Sequence, residues 1–353
     1  MRIRHLLIST VVSALFAVGA QAATLWTNTG TGDWGTGTNW DSGEPDQNDV
    51  ATIDNGGTAQ VTQNGERADG LIIDNDSTVE QTGGSLTTYE GGFEIKGGGA
   101  YELSGGDLLD NDTSPSLDVF VGFESSGSFI QTGGTFGVVN PRSISGGHDD
   151  FVVGRNSGGD GLFRISGGSF YLNHDNSDFS VGESNDGAVG QFEVSGSNID
   201  TIQIGRALRL RSNASTVFEL DDGGVTPVRV GTREENTNQG NAAVQLAGSL
   251  GILLLDEPPL SDITLIDFDD PLGDDADAPV TGTFDGLAEG DDVSALYGGL
   301  EYVWDITYQG NGSVSGGGND VMLTDLRVIP EPTTVALFGL GAVTMLLGRK
   351  RRA

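Results

Sequence analysis

Between Leu71 and Ile204 apolar and polar residues alternate in short bursts, and one order of bursts returns five times. The clearest copies are VFVGFESSGSFIQTGGTFGV from Val119, FVVGRNSGGDGLFRISGGSFYLN from Phe151 and FSVGESNDGAVGQFEVSGSNI from Phe179. Two shorter copies are LIIDNDSTVEQTGGSLTT from Leu71 and FEIKGGGAYELSGGDLL from Phe93. Alternation of period two over about four to six residues, bounded by Gly, Asn, Asp or Ser, predicts strands with one buried face. The Ser/Thr before a glycine falls at Thr82, Ser104, Thr132, Ser166 and Ser195, a spacing of 22, 28, 34 and 29 residues. Fixed anchors separated by turns of varying length are what stacked circuits of strand produce. Aromatics recur at matching places: Phe129, Phe163 and Phe192 before the Ser/Thr-Gly, Phe136 and Phe170 after it. Stacked circuits would set them above one another as an internal ladder. No stretch of the body joins a helical period to an N-cap, so its helix content is expected near nil. The predicted fold is all-β, a single-stranded parallel β-helix or solenoid with capped ends. It is expected to be right-handed, as β crossovers generally are.

The flanks differ in kind. Residues 1–22 have a charged start (Arg2, Arg4, His5), an apolar run from Leu6 to Val18 and a small-x-small end. This is an export signal cut by signal peptidase, with Ala20, Ala22 and Ala23 marking the cleavage site. Residues 23–70 hold Trp26, Trp34 and Trp40 among Thr, Asn and Gly, followed by the first strands at Val50–Ile53 and Ala59–Val61. Such tryptophans can close the open end of a solenoid, or, if exposed, stack on sugar rings as a glycan contact. The repeats occupy 71–255. Residues 256–279 break the pattern with Asp267, Asp269, Asp270, Asp274, Asp275 and Asp277. Clustered carboxylates suit Ca²⁺, but the spacing is not that of an EF-hand loop, so a flexible acidic loop is the expected reading and Ca²⁺ the weaker alternative. Residues 280–327 return to strands. Residues 328–353 join Pro330-Glu331-Pro332 to an apolar run, Thr333 to Gly348, and a basic end, Arg349 to Arg352. Sixteen helical residues over 333–348 would reach about 24 Å, short of a bilayer core but workable with local thinning.

Composition narrows the classes. With 57 Gly and 10 Pro in 353 residues, and no glycine at every third place, the chain is turn-dense but not collagen-like. The absence of Cys excludes disulfides and thiolate metal sites. The net charge is −34, and the six basic residues at the two ends leave 11 others against 51 acidic ones. A body this acidic repels nucleic acid and anionic lipid, so neither is an expected partner. Arg206, Arg209 and Arg211 form a rare basic trio, expected to pair with neighbouring carboxylates.

The tail closely resembles the PEP-CTERM sorting signal. That resemblance implies export, a membrane-held precursor and an exosortase that reads Pro330, Glu331 and Pro332; a plain tail anchor is the alternative. The segments TLIDF, GTFDGL, ITYQGNG and GGGNDVMLTDL resemble the terminal part of autotransporter-type β-strand repeat proteins. That likeness implies a parallel, right-handed β-helix body, although no outer-membrane barrel follows. Three functions fit: a non-enzymatic surface or matrix protein associated with extracellular polysaccharide, a β-helix polysaccharide lyase or glycoside hydrolase, and a carbohydrate-binding adhesin. The first is expected, with no catalytic residue and no cofactor beyond a weakly indicated Ca²⁺. His148, His174 and Lys96 do not fall in a pattern that suggests an acid–base site.

Overall fold

The computed structural model describes residues 22–110, 118–138, 150–172, 177–183, 187–231, 243–268, 280–311 and 319–330. They form large, nearly closed parallel sheets, an all-β arrangement compatible with a β-helix or a barrel. Consecutive strands lie on different faces, and each pairs in parallel with the corresponding strand one circuit later. The first face is a ten-stranded sheet. It stacks Ala22–Leu25, Asp49–Ile53, Gly70–Ile73, Phe93–Ile95, Val119–Phe123, Phe151–Arg155, Asp178–Val181, Ala207–Leu210, Ala243–Leu246 and Thr281–Gly282.

The second face runs through Thr58–Val61, Ser126–Gln131, Asp160–Ile165, Val189–Ser195, Ala214–Leu220 and Ser249–Leu254. The third runs through Glu66–Ala68, Thr135–Val138, Gly168–Leu172, Ile199–Ile204, Val228–Val230 and Ile263–Phe268. Two long strands, Thr78–Thr88 and Gly99–Asp110, bend across both faces with a register shift at Thr82. The Ser/Thr-Gly anchors of the sequence sit at this bend. Gly84, Gly106, Gly134 and Gly168 all adopt positive φ there, from +64° to +78°. A Cβ on Gly134 would lie 2.6 Å from the carbonyl oxygen of Gly106, one circuit away. The corner therefore needs glycine for both conformation and space.

The predicted ladders are present. Tyr101, Phe129, Phe163 and Phe192 are register partners on the second face, Phe136 and Phe170 on the third, and Phe151 and Phe179 on the first. All eight rings are buried, and the columns meet in the centre: Phe163 lies within 5.0–5.7 Å of Phe129, Phe151, Phe170, Phe179 and Phe192. Burying each ring contributes about 1.5–3 kcal/mol, and favourable ring pairs add about 0.5–1.5 kcal/mol each. Gln81 and Tyr101 bring polar atoms inside and pair them: Gln81 Nε2 donates to the Asp107 carbonyl at 2.9 Å, and Tyr101 Oη donates to Gln81 Oε1.

Three expectations change. Residues 256–279 are not all loop, because Ile263–Phe268 is a paired strand of the third face whose Ile263, Leu265, Ile266 and Phe268 are buried. Its carboxylates masked an apolar alternation. The entry region carries additional strands at Ala22–Leu25, Thr31–Asp33 and Glu66–Ala68, and one 3₁₀ turn at Gly37–Asn39. The closing strands do not continue the parallel stack: Asp292–Tyr297, Leu300–Gly310 and Asp320–Pro330 pair antiparallel and attach to Ile263–Phe268. Among the described residues no helix is long and apolar enough to cross a membrane, and the helix expected over 333–348 lies outside them.

Candidate functional site

The sorting residues emerge from the antiparallel end of the body. Gly298 and Gly299, both at positive φ, make the two-residue hairpin between its first two strands. The strand Asp320–Pro330 changes character along its length. Its inner part, Val321 to Leu323, pairs on both sides, with Ile306 and Thr307 on one and with Ile263, Thr264 and Ile266 on the other. These three residues are buried, and Asp320 Oδ1 accepts the Phe268 amide at 2.9 Å. The ladder then slips, and Asp325 takes φ +53°. Beyond that bulge Arg327, Val328, Ile329 and Pro330 are exposed and sit opposite Val303, Tyr302, Glu301 and Leu300 alone among the described residues. Arg327 Nη2 donates to Asp292 Oδ1 and to Asp305 Oδ1, each at 2.5 Å. Pro330 ends the strand, where its missing N–H is tolerated. Glu331 and Pro332 lie outside the described residues.

At the other end Ala22 and Ala23 open the first strand, opposite Asp49 and Val50, so a chain starting at Ala23 loses the Ala22–Asp49 pair and keeps those from Ala23 to Leu25; Ala20 lies outside the described residues. Trp26, Trp34 and Trp40 form one buried cluster, none more than 4% exposed. Trp40 meets both partners edge-on at 4.9 Å, and its Nε1 donates to the Trp34 carbonyl at 2.8 Å. No ring face is left for a sugar. The cluster closes the core, and the glycan-contact role considered for it is corrected by that burial.

The carboxylates divide into separate groups. Of the acidic run only Asp267 is described, and it faces Arg229 at 3.7 Å; Asp269, Asp270, Asp274, Asp275 and Asp277 lie outside the described residues. Among the described residues no group of three His, Asp or Glu is placed to hold a metal. His148 and His174 also lie outside them. Two of the three arginines pair as expected: Arg206 grips buried Asp178 through Nε and Nη2, each at 2.6 Å, and Arg209 Nη1 contacts the same carboxylate. Arg211 instead reaches Gln245 Oε1 at 3.5 Å. Asp150, one circuit before Asp178, is pushed up to about 6, first by burial and then by the charges of Asp178 and Asp118, against the opposing Asp178 amide and Arg206. Burial, a hydrogen bond with Glu44 and the charges of Glu44 and Asp33 push Glu66 to about 8.

One surface feature escaped the sequence reading. Glu80 and Glu102 are register partners on the second face and line an open groove of about 230 Å³ with Thr82, Ser104, Thr132, Leu103 and Ile130. Gln60 Nε2 steadies Glu80 Oε2 at 2.9 Å. The circuit pairing brings these two together, and their 22-residue separation is the same as that of the Thr82 and Ser104 anchors two residues further on.

No curated protein and no solved structure matches the chain, and no comparison identifies its body with autotransporter-type repeats. Residues 328–352 match the PEP-CTERM protein-sorting motif, which marks an exported protein with a membrane-anchored sorting signal handled by an exosortase.

Proposed function

We propose that this chain is a non-enzymatic cell-surface or extracellular-matrix protein with a capped β-helix body, delivered by its sorting signal and associated with extracellular polysaccharide or the envelope. The observation that carries this reading is the sorting motif at 328–352 joined directly to the last strand of the body. The circuit-by-circuit parallel pairing supports a β-helix over a barrel, since neighbouring strands in sequence occupy different faces. The strong negative charge suits a hydrated extracellular setting and a body that stays soluble there. Mass spectrometry of the protein from its native cells tests the delivery. A start at Ala23 and an end near Pro330–Pro332, in surface or matrix fractions, are expected; a tail intact through Ala353 would overturn processing.

A second reading, a polysaccharide-cleaving enzyme, draws on the Glu80–Glu102 pair, two carboxylates on neighbouring strands beside an open groove, because glycoside hydrolysis uses two carboxyl groups flanking the scissile bond. A panel of polysaccharides assayed for released reducing ends separates the two. Turnover lost in Glu102→Gln would replace the structural role with an enzymatic one.

A further inference from the structure

The sorting motif leaves the body with almost no slack. Pro330 is still paired, opposite Leu300, and the apolar run of the tail opens at Thr333. Three residue steps extend at most about 10 Å. A cleft that encloses the chain around Pro330-Glu331-Pro332 would have to reach both of its edges, and here one edge of Pro330 is taken by the sheet. The strand itself supplies the remedy. Its inner part is held from both sides and buried, while the outer part beyond the Asp325 bulge has one neighbour among the described residues and exposed side chains. Releasing the outer part gives eight steps from Asp325 to Thr333, about 26–29 Å of chain. Among the described residues, only the Arg327 contacts to Asp292 and Asp305 add side-chain ion pairing to that outer ladder.

We propose that Arg327–Pro330 is part of the segment recognised by the tail-processing enzyme, which takes it as a free extended strand after it peels from Leu300–Val303 at the Asp325 bulge. The partner is thus an enzyme whose cleft binds extended chain well upstream of the Pro-Glu-Pro, and the inner strand, Asp320 to Thr324, stays docked as the anchor. This rests on enzymatic processing of the tail.

The chain contains no cysteine, so a single engineered pair can pin the strand. Glu301 and Ile329 are direct partners across the ladder, and opposite positions in antiparallel strands are close enough to bridge. Full-length wild type, Glu301→Cys/Ile329→Cys, Ile329→Cys alone and Asp292→Asn/Asp305→Asn are expressed in the native cells, and the processed fraction is followed over time by mass. The oxidised double variant is expected to accumulate unprocessed, at least tenfold slower than wild type, and to recover on reduction. Asp292→Asn/Asp305→Asn, which frees Arg327 without altering the recognised segment, is expected to be processed severalfold faster, with the unfolding transition of the body unchanged. Processing of the oxidised double variant within twofold of wild type would overturn the inference and leave processing itself standing. A wild-type tail that is never removed would overturn processing, and the inference with it. Should Ile329→Cys alone block the reaction, an unchanged rate in Asp292→Asn/Asp305→Asn would count against peeling and a faster one for it.

Discussion

Phe163→Ala tests the central claim that the aromatic columns hold the circuits together. Phe163 is fully buried and contacts five other rings at 5.0–5.7 Å, on its own circuit and on both neighbours. Truncating a buried Phe to Ala generally costs about 3–5 kcal/mol, and the cost rises where the surroundings cannot collapse. Collapse is restrained here because the backbone ladders fix the spacing between circuits. We therefore expect about 4–5 kcal/mol. Phe163→Leu, which refills most of the volume, should cost about 1–1.5 kcal/mol. Phe120→Ala is the control, since that ring points outward, stacked on Phe123 at 5.2 Å and covered by Arg155 at 4.4 Å. It should cost about 1 kcal/mol. Urea unfolding followed by circular dichroism measures all three. With a slope of about 3 kcal/mol/M, the Phe163→Ala midpoint falls by about 1.3–1.7 M. A loss under about 1 kcal/mol for Phe163→Ala, or an equal loss for Phe120→Ala, would refute the argument that this interior column carries the packing.

Three further outcomes are expected. Glu66, raised from 4.5 to about 8, binds its proton more tightly when folded; its contribution is therefore complete below about pH 4.5 and is lost as the pH rises through 8. Melting temperature should fall between pH 5 and 9, and Glu66→Gln should flatten that fall, whereas parallel melting curves for the two proteins would contradict it. Asp178→Asn removes the buried charge gripped by Arg206 and Arg209 and should cost about 3 kcal/mol by chemical denaturation; a neutral result would mean that the pair is offset by its own desolvation. Gly134→Ala, at φ +66° with Gly106 in the way, should destabilise by about 2 kcal/mol or more, while Gly286→Ala, at φ +75° with open space around it, should lose only about 1 kcal/mol. Equal losses would show that close stacking at the corner is not what demands glycine.

The parts legible in the sequence were those with local signatures. Phe129, Phe163 and Phe192 recur before a Ser/Thr-Gly because one circuit repeats its inward positions, and Gly134 or Gly168 marks a corner because only glycine fits there. The tail was equally plain, since Pro330-Glu331-Pro332, an apolar run and a basic end are contiguous. What stayed hidden depends on contacts between circuits. Arg206 and Asp178 are 28 residues apart, and Glu80 meets Glu102 only through the ladder. Ile263–Phe268 was obscured because its surrounding Asp and Pro residues read as a linker, while burial on the third face outweighs that composition. The bulge at Asp325 had little sequence sign, because Asp tolerates left-handed φ, as Asp76 does in a turn, but is common throughout this acidic chain.

The ten-stranded first face also acts as a ruler. Nine interstrand steps of about 4.8 Å give a column about 43 Å tall, whatever the number of residues spent between strands. The tryptophan-closed entry lies at one end of that column, and the strand leading to the tail lies at the other. A precursor held by its tail would thus display its far end about 4 nm from the point of attachment. Each repeat added or deleted would shift that height by about 0.5 nm, so the copy number of the repeat sets how far the protein stands off its support.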